Sequence, residues 1–259
     1  MRLIDSHCHL AHGRLRQQAP EAMDRARAAG VVAVVCAAGT VQESKEAVGL
    51  ASRLDDARCL AGIHPHDAKD ADEAALAVIE GLAGHQENAA VGEIGLDYHY
   101  NYSPPEDQRR AFAAQLALAR RIGKRVVVHT REAFDDTLAI LREAGIAGDD
   151  VLFHSFTGPP AEARAALDFG ASVSFSGIVT FRKAEDLRRS AAIVPDGRLL
   201  IETDAPFLSP EPVRSMKTNE PANVAHVAAG IAAALGRHVE AVAEATTANA
   251  ERFFGLELA

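Results

Sequence analysis

The stretch DSHCHL (residues 5–10) ends a short apolar run at the start of the chain and places His7 and His9 two residues apart before any helix begins. Because strand side chains alternate between two faces, His7 and His9 point the same way and can reach one metal ion. An open doubly wound sheet would normally have a glycine-rich phosphate turn here, and HCHL contains no glycine. The stretch therefore favours another parallel fold, whose first strand ends in metal-binding side chains.

Outward from this stretch, apolar runs alternate with amphipathic helical segments. The predicted strands are apolar throughout, as strands buried on both faces should be, and cover residues 2–7, 31–39, 58–64, 89–95, 125–130, 150–155, 171–177 and 197–205. Helices are predicted at 20–30, 43–54, 71–84, 105–123, 133–145, 160–170 and 183–194, with two more after the last strand at 222–236 and 238–255. Eight such units in 259 residues predict an α/β protein with a TIM (β/α)8 barrel, a single domain over residues 1–259 with extra C-terminal helices.

Composition narrows the function classes. With 36 acidic and 27 basic residues the formal net charge is −9, which excludes a basic field over the whole protein, so any nucleic-acid contact must be local. No apolar run is long enough to span a bilayer, and residues 1–30 lack the order of a secretory signal, so we expect no membrane partner. Cys8, Cys36 and Cys59 form no CxxC pair and indicate reduced core residues in a cytoplasmic protein. No surface stripe indicates an interface, which favours a monomer.

Histidines and acids cluster at the ends of the predicted strands, which meet on one face of a closed barrel. Asp97 lies just beyond one candidate ligand and Glu202 just before another, and His64 ends the third strand. The candidate metal ligands are His7, His9, Glu93, His129, His154 and Asp204. One catalytic zinc usually takes three protein ligands, so this set predicts two divalent ions about 3.5–4 Å apart that share a carboxylate and a water.

Each of these residues taken alone also has a purely structural interpretation. The HxH pair can occur in a structural loop, and His129 can be a core histidine bonded to a backbone carbonyl. Glu93 can pair with an arginine, and Asp204 can cap the following turn. Stability alone, however, does not require four histidines and two acids at five separate strand ends. His66 is expected to shape its loop, His12 to lie on the surface, and Cys8 to pack in the core.

Eight motifs, taken in order, make the chain resemble the TatD family of metal-dependent deoxyribonucleases, within the amidohydrolase-like metal barrels. They are DSHCHL (5–10), GIHPHDA (62–68), VGEIGLDY (91–98), VVVHTREA (126–133), FHSFTG (153–158), ETDAPFL (202–208), NEPANV (219–224) and TTANAERFFG (246–255). The resemblance implies hydrolysis of DNA phosphodiester bonds by a 3'-5' exonuclease-type activity with Mg²⁺, Mn²⁺ or Zn²⁺. It also implies DNA that is single-stranded or has a free end as substrate, and a role in DNA repair or degradation.

The resemblance carries the ligand roles onto the six candidates, with Glu93 as the bridging carboxylate and His64 as a contact to the substrate phosphate. In the mechanism we expect, the ions activate a water, Asp204 accepts its proton, and His64 stabilises the charge on the phosphate. Glu93, Asp204 and His64 are therefore the predicted catalytic residues. Tyr98, Arg131 and Lys217 are predicted to contact substrate together with His64.

The sequence departs from the family pattern at two places. Residues 11–20, AHGRLRQQAP, replace an acidic loop, and Thr218 stands before NEP where the family often has a basic residue. Lys217, one position earlier, is the candidate to replace that basic residue.

Two other functions stay open. One is hydrolysis of D-aminoacyl-tRNA or of a small amide or ester by the same two-metal site, which activity on charged tRNA against DNA would separate. The other is a metal-binding module without catalysis, which loss of turnover but not of DNA binding in Asp204→Asn would exclude.

Overall fold

The computed structural model describes residues 1–256, and residues 257–259 of the predicted domain lie outside this part. Eight parallel strands pair in chain order into one sheet. The strands are β1 (Leu3–Cys8), β2 (Val31–Cys36), β3 (Ala57–Ala61), β4 (Asn88–Asp97), β5 (Val126–Arg131), β6 (Val151–Phe153), β7 (Ser172–Phe175) and β8 (Leu199–Ile201).

The first and last strands meet just beyond β8. The Asp204 amide donates to the His7 carbonyl at 2.9 Å, and the His9 amide donates to the Ala205 carbonyl at 2.6 Å. Ser6 Oγ donates to the Ile201 carbonyl at 2.9 Å. These bonds bring the sheet round to a nearly closed barrel, which confirms the predicted TIM barrel.

Helices follow the strands and cover the sheet. They are α1 (Ala19–Ala28), α2 (Val41–Ala51), α3 (Glu73–Ala83), α4 (Pro105–Ile122), α5 (Phe134–Glu143), α6 (Pro160–Phe169), α7 (Glu185–Ala192), α8 (Val224–Leu235) and α9 (Val239–Phe254). The two predicted C-terminal helices are confirmed as α8 and α9. Within residues 1–256, no helix combines the length and the apolar character that crossing a membrane requires.

Several strand ends differ from the prediction. β8 stops at Ile201 rather than residue 205, so Glu202 and Asp204 lie in the loop that follows it. Asp204 itself has a left-handed backbone with φ 54°, so the chain cannot continue as a strand there. A short 3-10 helix at Pro65–Asp70 occupies a loop where the sequence predicted no regular structure, and another at Gly177–Thr180 begins at the last residue of the predicted seventh strand.

The core divides into two clusters of apolar side chains. One lies between the strands and the helices, and includes Cys8, which confirms its packing role. The other takes residues from seven of the strands, together with Ala37 just beyond β2, and therefore fills the barrel interior. The strand residues are Ile4, Ala33, Val35, Leu60, Ala90, Val127, Leu152 and Leu200. Phe253 and Phe254 at the end of α9 belong to the same inner cluster, so α9 closes one end of the barrel.

The inner cluster sets the direction of the functional side chains. Val127 and Leu152 of the inner cluster lie two residues before His129 and His154. Because side chains two residues apart on a strand point the same way, both histidines point inward, at the barrel mouth. β4 departs from this alternation, since its pairing with β5 shifts between Val91 and Ile94. Gly95 has φ 140°, and a Cβ there would meet the His129 carbonyl oxygen, so the motif requires glycine at this position.

Two valines provide a matched test of the inner core. Val127 is fully buried in the inner cluster, whereas Val78 on α3 is 37% exposed. We expect Val127→Ala to lower the free energy of unfolding by about 2–3 kcal/mol, through lost apolar burial and the cavity left behind. Val78→Ala should change it by no more than about 0.5 kcal/mol. Urea denaturation measures both, and equal losses would mean that Val127 does not pack as described.

Candidate metal centre

Both carboxylate oxygens of Glu93, at the centre of the mouth, face histidines. Its Oε1 lies 2.8 Å from His154 Nε2, 3.0 Å from His129 Nδ1 and 3.1 Å from His64 Nε2. Its Oε2 lies 3.4 Å from His7 Nε2 and 3.5 Å from His9 Nε2. Asp204 Oδ1 is 3.4 Å from the same His9 nitrogen. The structure thus brings all six candidate ligands and His64 together, although their ligand roles stay predictions.

The loop after β8 that carries Asp204 is held by buried polar side chains. Asp5 Oδ1 accepts the Thr203 amide at 2.8 Å, and Asp5 Oδ2 accepts the Thr203 hydroxyl at 2.5 Å. Asn219 Nδ2 donates to the carbonyls of Thr203 at 3.0 Å and Phe207 at 2.7 Å. The DSHCHL and NEPANV motifs therefore meet on one loop and fix the position of Asp204.

His7 gives a direct test of whether the site suits a metal. Its ring is fully buried and stacks on His154 with centroids 3.9 Å apart. Neither of its ring nitrogens has a hydrogen-bond partner among the described residues, although buried polar atoms normally have one. An imidazole nitrogen placed beside a carboxylate, with two further imidazoles and an aspartate nearby, is a donor set for divalent transition metals. The residues present fit the predicted ions.

Two carboxylates behind the ligands fix which nitrogen of each ring faces Glu93. Asp97 Oδ2 lies 3.1 Å from His129 Nε2, and Glu202 Oε1 lies 3.2 Å from His154 Nδ1. Each carboxylate accepts the ring N–H, which leaves the lone pair of the other nitrogen free for a metal. The sequence placed Asp97 and Glu202 at strand ends but predicted no role for them, because only the folded barrel shows which ring each one meets.

In His64, by contrast, the ring nitrogen that faces Glu93 carries the proton. Its Nδ1 accepts the backbone N–H of His66 at 3.1 Å, so the proton of the neutral ring is on Nε2. Burial lowers the pKa of His64 to about 4, so the ring is neutral at neutral pH. His64 is therefore a hydrogen-bond donor toward the centre, whereas His129 and His154 face their carboxylate partners with the far nitrogen and would offer the near nitrogen to a metal ion.

The charge of Glu93 depends on the same surroundings. Burial by itself raises the pKa of this carboxyl, but the surrounding histidines, His154 first, hold it well below its ordinary value. The group is therefore a carboxylate at neutral pH, the form that ligates metals.

The cluster opens into a cavity of about 760 Å³. Arg131, a predicted substrate contact, lines this cavity. Tyr98 instead turns toward the helices, where its hydroxyl donates to Asp136 at 2.8 Å and Arg109 lies over its ring. Lys217 is exposed on the loop between β8 and α8. The structure thus brings Arg131 to the site but not Tyr98, and it gives Lys217 no contact there.

Several residues that line the cavity were not predicted as site residues, among them His66, His12 and Tyr100. His66 lines the cavity and lies 3.0 Å from Asp97 Oδ2 through Nε2, so it does more than shape its loop. His12 also lines the cavity, which corrects the surface position expected for it, because His12 and Arg14 lie against the ring of Phe207. Tyr100 lines the cavity two residues after Tyr98. Its position depends on the course of a loop, which periodicity does not reveal.

A parallel barrel whose mouth holds this set of histidines and carboxylates belongs to the class of metal-dependent hydrolases. The family model described as TatD related DNase matches residues 4–255, and the chain belongs to this family. It is 37% identical over 252 residues to the uncharacterized metal-dependent hydrolase YabD of Bacillus subtilis (strain 168), covering 97% of this chain and 98% of the relative.

Two further comparisons agree with this assignment. The 3'-5' ssDNA/RNA exonuclease TatD of Klebsiella pneumoniae (strain 342) is 34% identical over 260 residues, covering 99% of both chains. The crystal structure of the TatD homolog YJJV from Escherichia coli K12 superposes with a TM-score of 0.93 at 25% identity, covering 99% of both chains. The protein is a TatD-family metal-dependent hydrolase.

Glu202 allows the orienting role to be tested without removing a ligand. We expect Glu202→Gln to weaken divalent-metal binding about 10-fold to 100-fold, because the neutral amide orients and polarises His154 less strongly. Glu80→Gln is the matched control, since Glu80 pairs with Arg121 on the surface. Titration of the metal-stripped protein with Mn²⁺ or Zn²⁺ gives both affinities. An unchanged affinity in Glu202→Gln would show that this carboxylate does not support the centre.

Proposed function

We propose that the protein hydrolyses phosphodiester bonds in DNA with two divalent ions, as a 3'-5' exonuclease-type deoxyribonuclease. The observation that carries this proposal is the division of Glu93 between two groups of ligands. One carboxylate oxygen faces His129 and His154, and the other faces His7 and His9. A carboxylate in this position suits a bridge between two ions, with Asp204 completing the group on the His7 and His9 side.

Bound at this centre, divalent ions supply an activated water and offset the charge of the phosphate. Asp204 is suited to accept the proton of the attacking water, because its carboxylate borders the cavity and lies against His9. His9 and other neighbours hold the pKa of Asp204 below its ordinary value despite burial, so the group is ionised before the reaction.

After Asp204, His64 is the second residue with a proposed role in the reaction. As a neutral ring with its proton on Nε2, it can donate a hydrogen bond to a phosphate oxygen as negative charge grows there. Its anchor on the His66 amide fixes the direction of that proton. His64 thereby combines substrate binding with stabilisation of the transition state.

The choice of a nucleic-acid substrate rests on the relatives and on the cavity. A Klebsiella pneumoniae relative named as a 3'-5' ssDNA/RNA exonuclease shares 34% identity over nearly the whole chain. Arg131 provides a guanidinium at the cavity wall, and Arg182, Lys183, Arg214 and Lys217 are exposed on loops after β7 and β8. These local cations suit a phosphate backbone on a chain whose net charge is −9.

Nuclease assays of the metal-stripped protein test this proposal directly. End-labelled single-stranded DNA is incubated with Mg²⁺, Mn²⁺ and Zn²⁺ added back in turn. We expect stepwise shortening from the 3' end that requires added metal, and a loss of at least about 100-fold in Glu93→Gln. Glu80→Gln should cleave like the wild type, because Glu80 lies on the outer surface.

Other outcomes would redirect or end the proposal. Metal-dependent cleavage of D-aminoacyl-tRNA or of a small ester, without cleavage of DNA, would move the same centre to carbonyl substrates. Shortening that persists in Glu93→Gln would mean that the nuclease activity does not come from this site.

His64 and His129 separate the donor role from the ligand role. We expect His64→Asn to lower kcat/KM by about 100-fold or more while metal affinity stays within about threefold of wild type. His129→Asn should instead weaken metal binding, because its Nδ1 is a proposed ligand. Metal titration and steady-state kinetics of both variants make the comparison. A loss of metal affinity in His64→Asn equal to that in His129→Asn would make His64 a ligand.

A further inference from the structure

A pair of stacked tyrosines lines one side of the cavity. The rings of Tyr100 and Tyr102 lie 5.3 Å apart at an interplanar angle of 12°. His66 meets both rings edge-on, with centroids 5.5 Å from Tyr100 and 4.8 Å from Tyr102. The Arg131 guanidinium lies over the Tyr100 ring, 4.7 Å from its centroid. These four side chains, here called the tyrosine platform, all line the cavity that contains Glu93.

The platform is unusually open for aromatic side chains. Tyr100 is 46% exposed and Tyr102 is 61% exposed, so neither ring is needed to cover the core. Tyr100 is already engaged by Arg131 and by its partner tyrosine. Tyr102 thus offers the ring surface that remains available to a ligand in the cavity.

Hydrogen bonds of Asp97 also connect the platform to the metal centre. Asp97 Oδ1 accepts the backbone N–H of Tyr100 at 2.9 Å, while Asp97 Oδ2 faces His129 at 3.1 Å and His66 at 3.0 Å. Gln108 Oε1 in turn accepts the Asp97 amide at 2.8 Å. One carboxylate therefore positions a proposed metal ligand, the edge-on histidine and the tyrosine loop. A ligand on the platform would be held in a fixed relation to the reacting group.

The opposite side of the mouth carries a second aromatic ring. Phe207 follows β8, which lies four strands around the barrel from β4, the strand that leads into Tyr100 and Tyr102. The Phe207 ring is approached by Arg14, at 5.4 Å from its centroid, and by His12. A phosphodiester held at the centre has one nucleoside on each side, so one of them lies toward the tyrosine platform.

We propose that the tyrosine platform is a subsite for a nucleobase next to the scissile phosphate, with Tyr102 as the stacking face. Any base has a π-face, so such a subsite recognises nucleobases as a class rather than one base. Arg131 adds a cation beside the same stack, where the phosphate backbone enters. This inference rests on the proposed nucleic-acid substrate and adds to it the residues that hold the base.

Oligonucleotides with an abasic residue test this subsite. Single-stranded DNA is prepared intact, or with an abasic residue on the 5' or the 3' side of the terminal phosphodiester bond. For the wild type we expect kcat/KM to fall about 10-fold for one of the two abasic substrates, the effect typical of one lost stacking contact. In Tyr102→Leu the intact and abasic substrates should react with nearly equal kcat/KM, whereas Tyr102→Phe should keep the difference.

The matched variants decide between stacking and mere apolar cover. Leucine keeps apolar bulk at this exposed position but has no π-face, and phenylalanine keeps the ring without the hydroxyl. A wild type that does not distinguish the intact substrate from either abasic one would overturn the subsite. A base preference that survives in Tyr102→Leu would overturn the role of Tyr102.

Binding measurements keep this test separate from that of the nuclease proposal. If the wild type cleaves no oligonucleotide with any ion, the proposed function fails, and anisotropy of the fluorescein-labelled intact and abasic strands then tests the platform alone. Tighter binding of the intact strand that is lost in Tyr102→Leu would still support the subsite. Equal binding of all three strands would overturn it.

Discussion

A buried carboxylate is unfavourable unless partners replace the water that it loses, and Glu93 is 4% exposed at the centre of five imidazole rings. The rest of the mouth is arranged around this constraint. His129 and His154 reach Glu93 because β5 and β6 carry the inward face of the core to the mouth. Each ring is then oriented by an acid behind it, so the cluster forms layers of carboxylate, imidazole and carboxylate. Such layers hold ring orientations that a single layer of histidines would leave free.

Closure of the barrel serves the same centre. The bonds between the chain after β8 and the end of β1 join the first and last strands at the level of the site. Asp5 accepts the Thr203 amide and Asn219 donates to the Thr203 carbonyl. The junction of the first and last strands and the position of Asp204 therefore depend on the same buried side chains. Asp5 of the DSHCHL motif and Asn219 of the NEPANV motif thus share one structural task, which is to hold the loop that places Asp204 beside His9.

Strand periodicity and motif order were enough to predict the barrel and the residues that meet at its mouth. His129 and His154 follow regular strands, so alternation is a reliable guide there. Glu93 does not share the phase of Ala90, because the pairing of β4 with β5 shifts between Val91 and Ile94. Its place at the end of a predicted strand, rather than alternation, identified it.

The loops were less predictable, since their paths are set by tertiary hydrogen bonds. Tyr98 was predicted to contact substrate, yet its hydroxyl donates to Asp136. Asp97 turns the following loop so that Tyr100 and Tyr102 line the cavity instead. No local pattern in the sequence encodes that turn.

The acidic side chains at the mouth require divalent ions to bind before an anionic phosphate. Glu93, Asp204, Glu43 and Asp67 all line the cavity, whereas Arg131 is its one lining arginine among residues 1–256. Like charges at close range repel strongly in a partly dehydrated site, so these carboxylates oppose the entry of an anionic phosphate. The proposed divalent ions would reverse that field at the point where the phosphate must lie. Affinity for a nucleic-acid end should therefore depend on the metal as much as catalysis does, whereas the uncharged ring of Tyr102 can hold a base whatever the field.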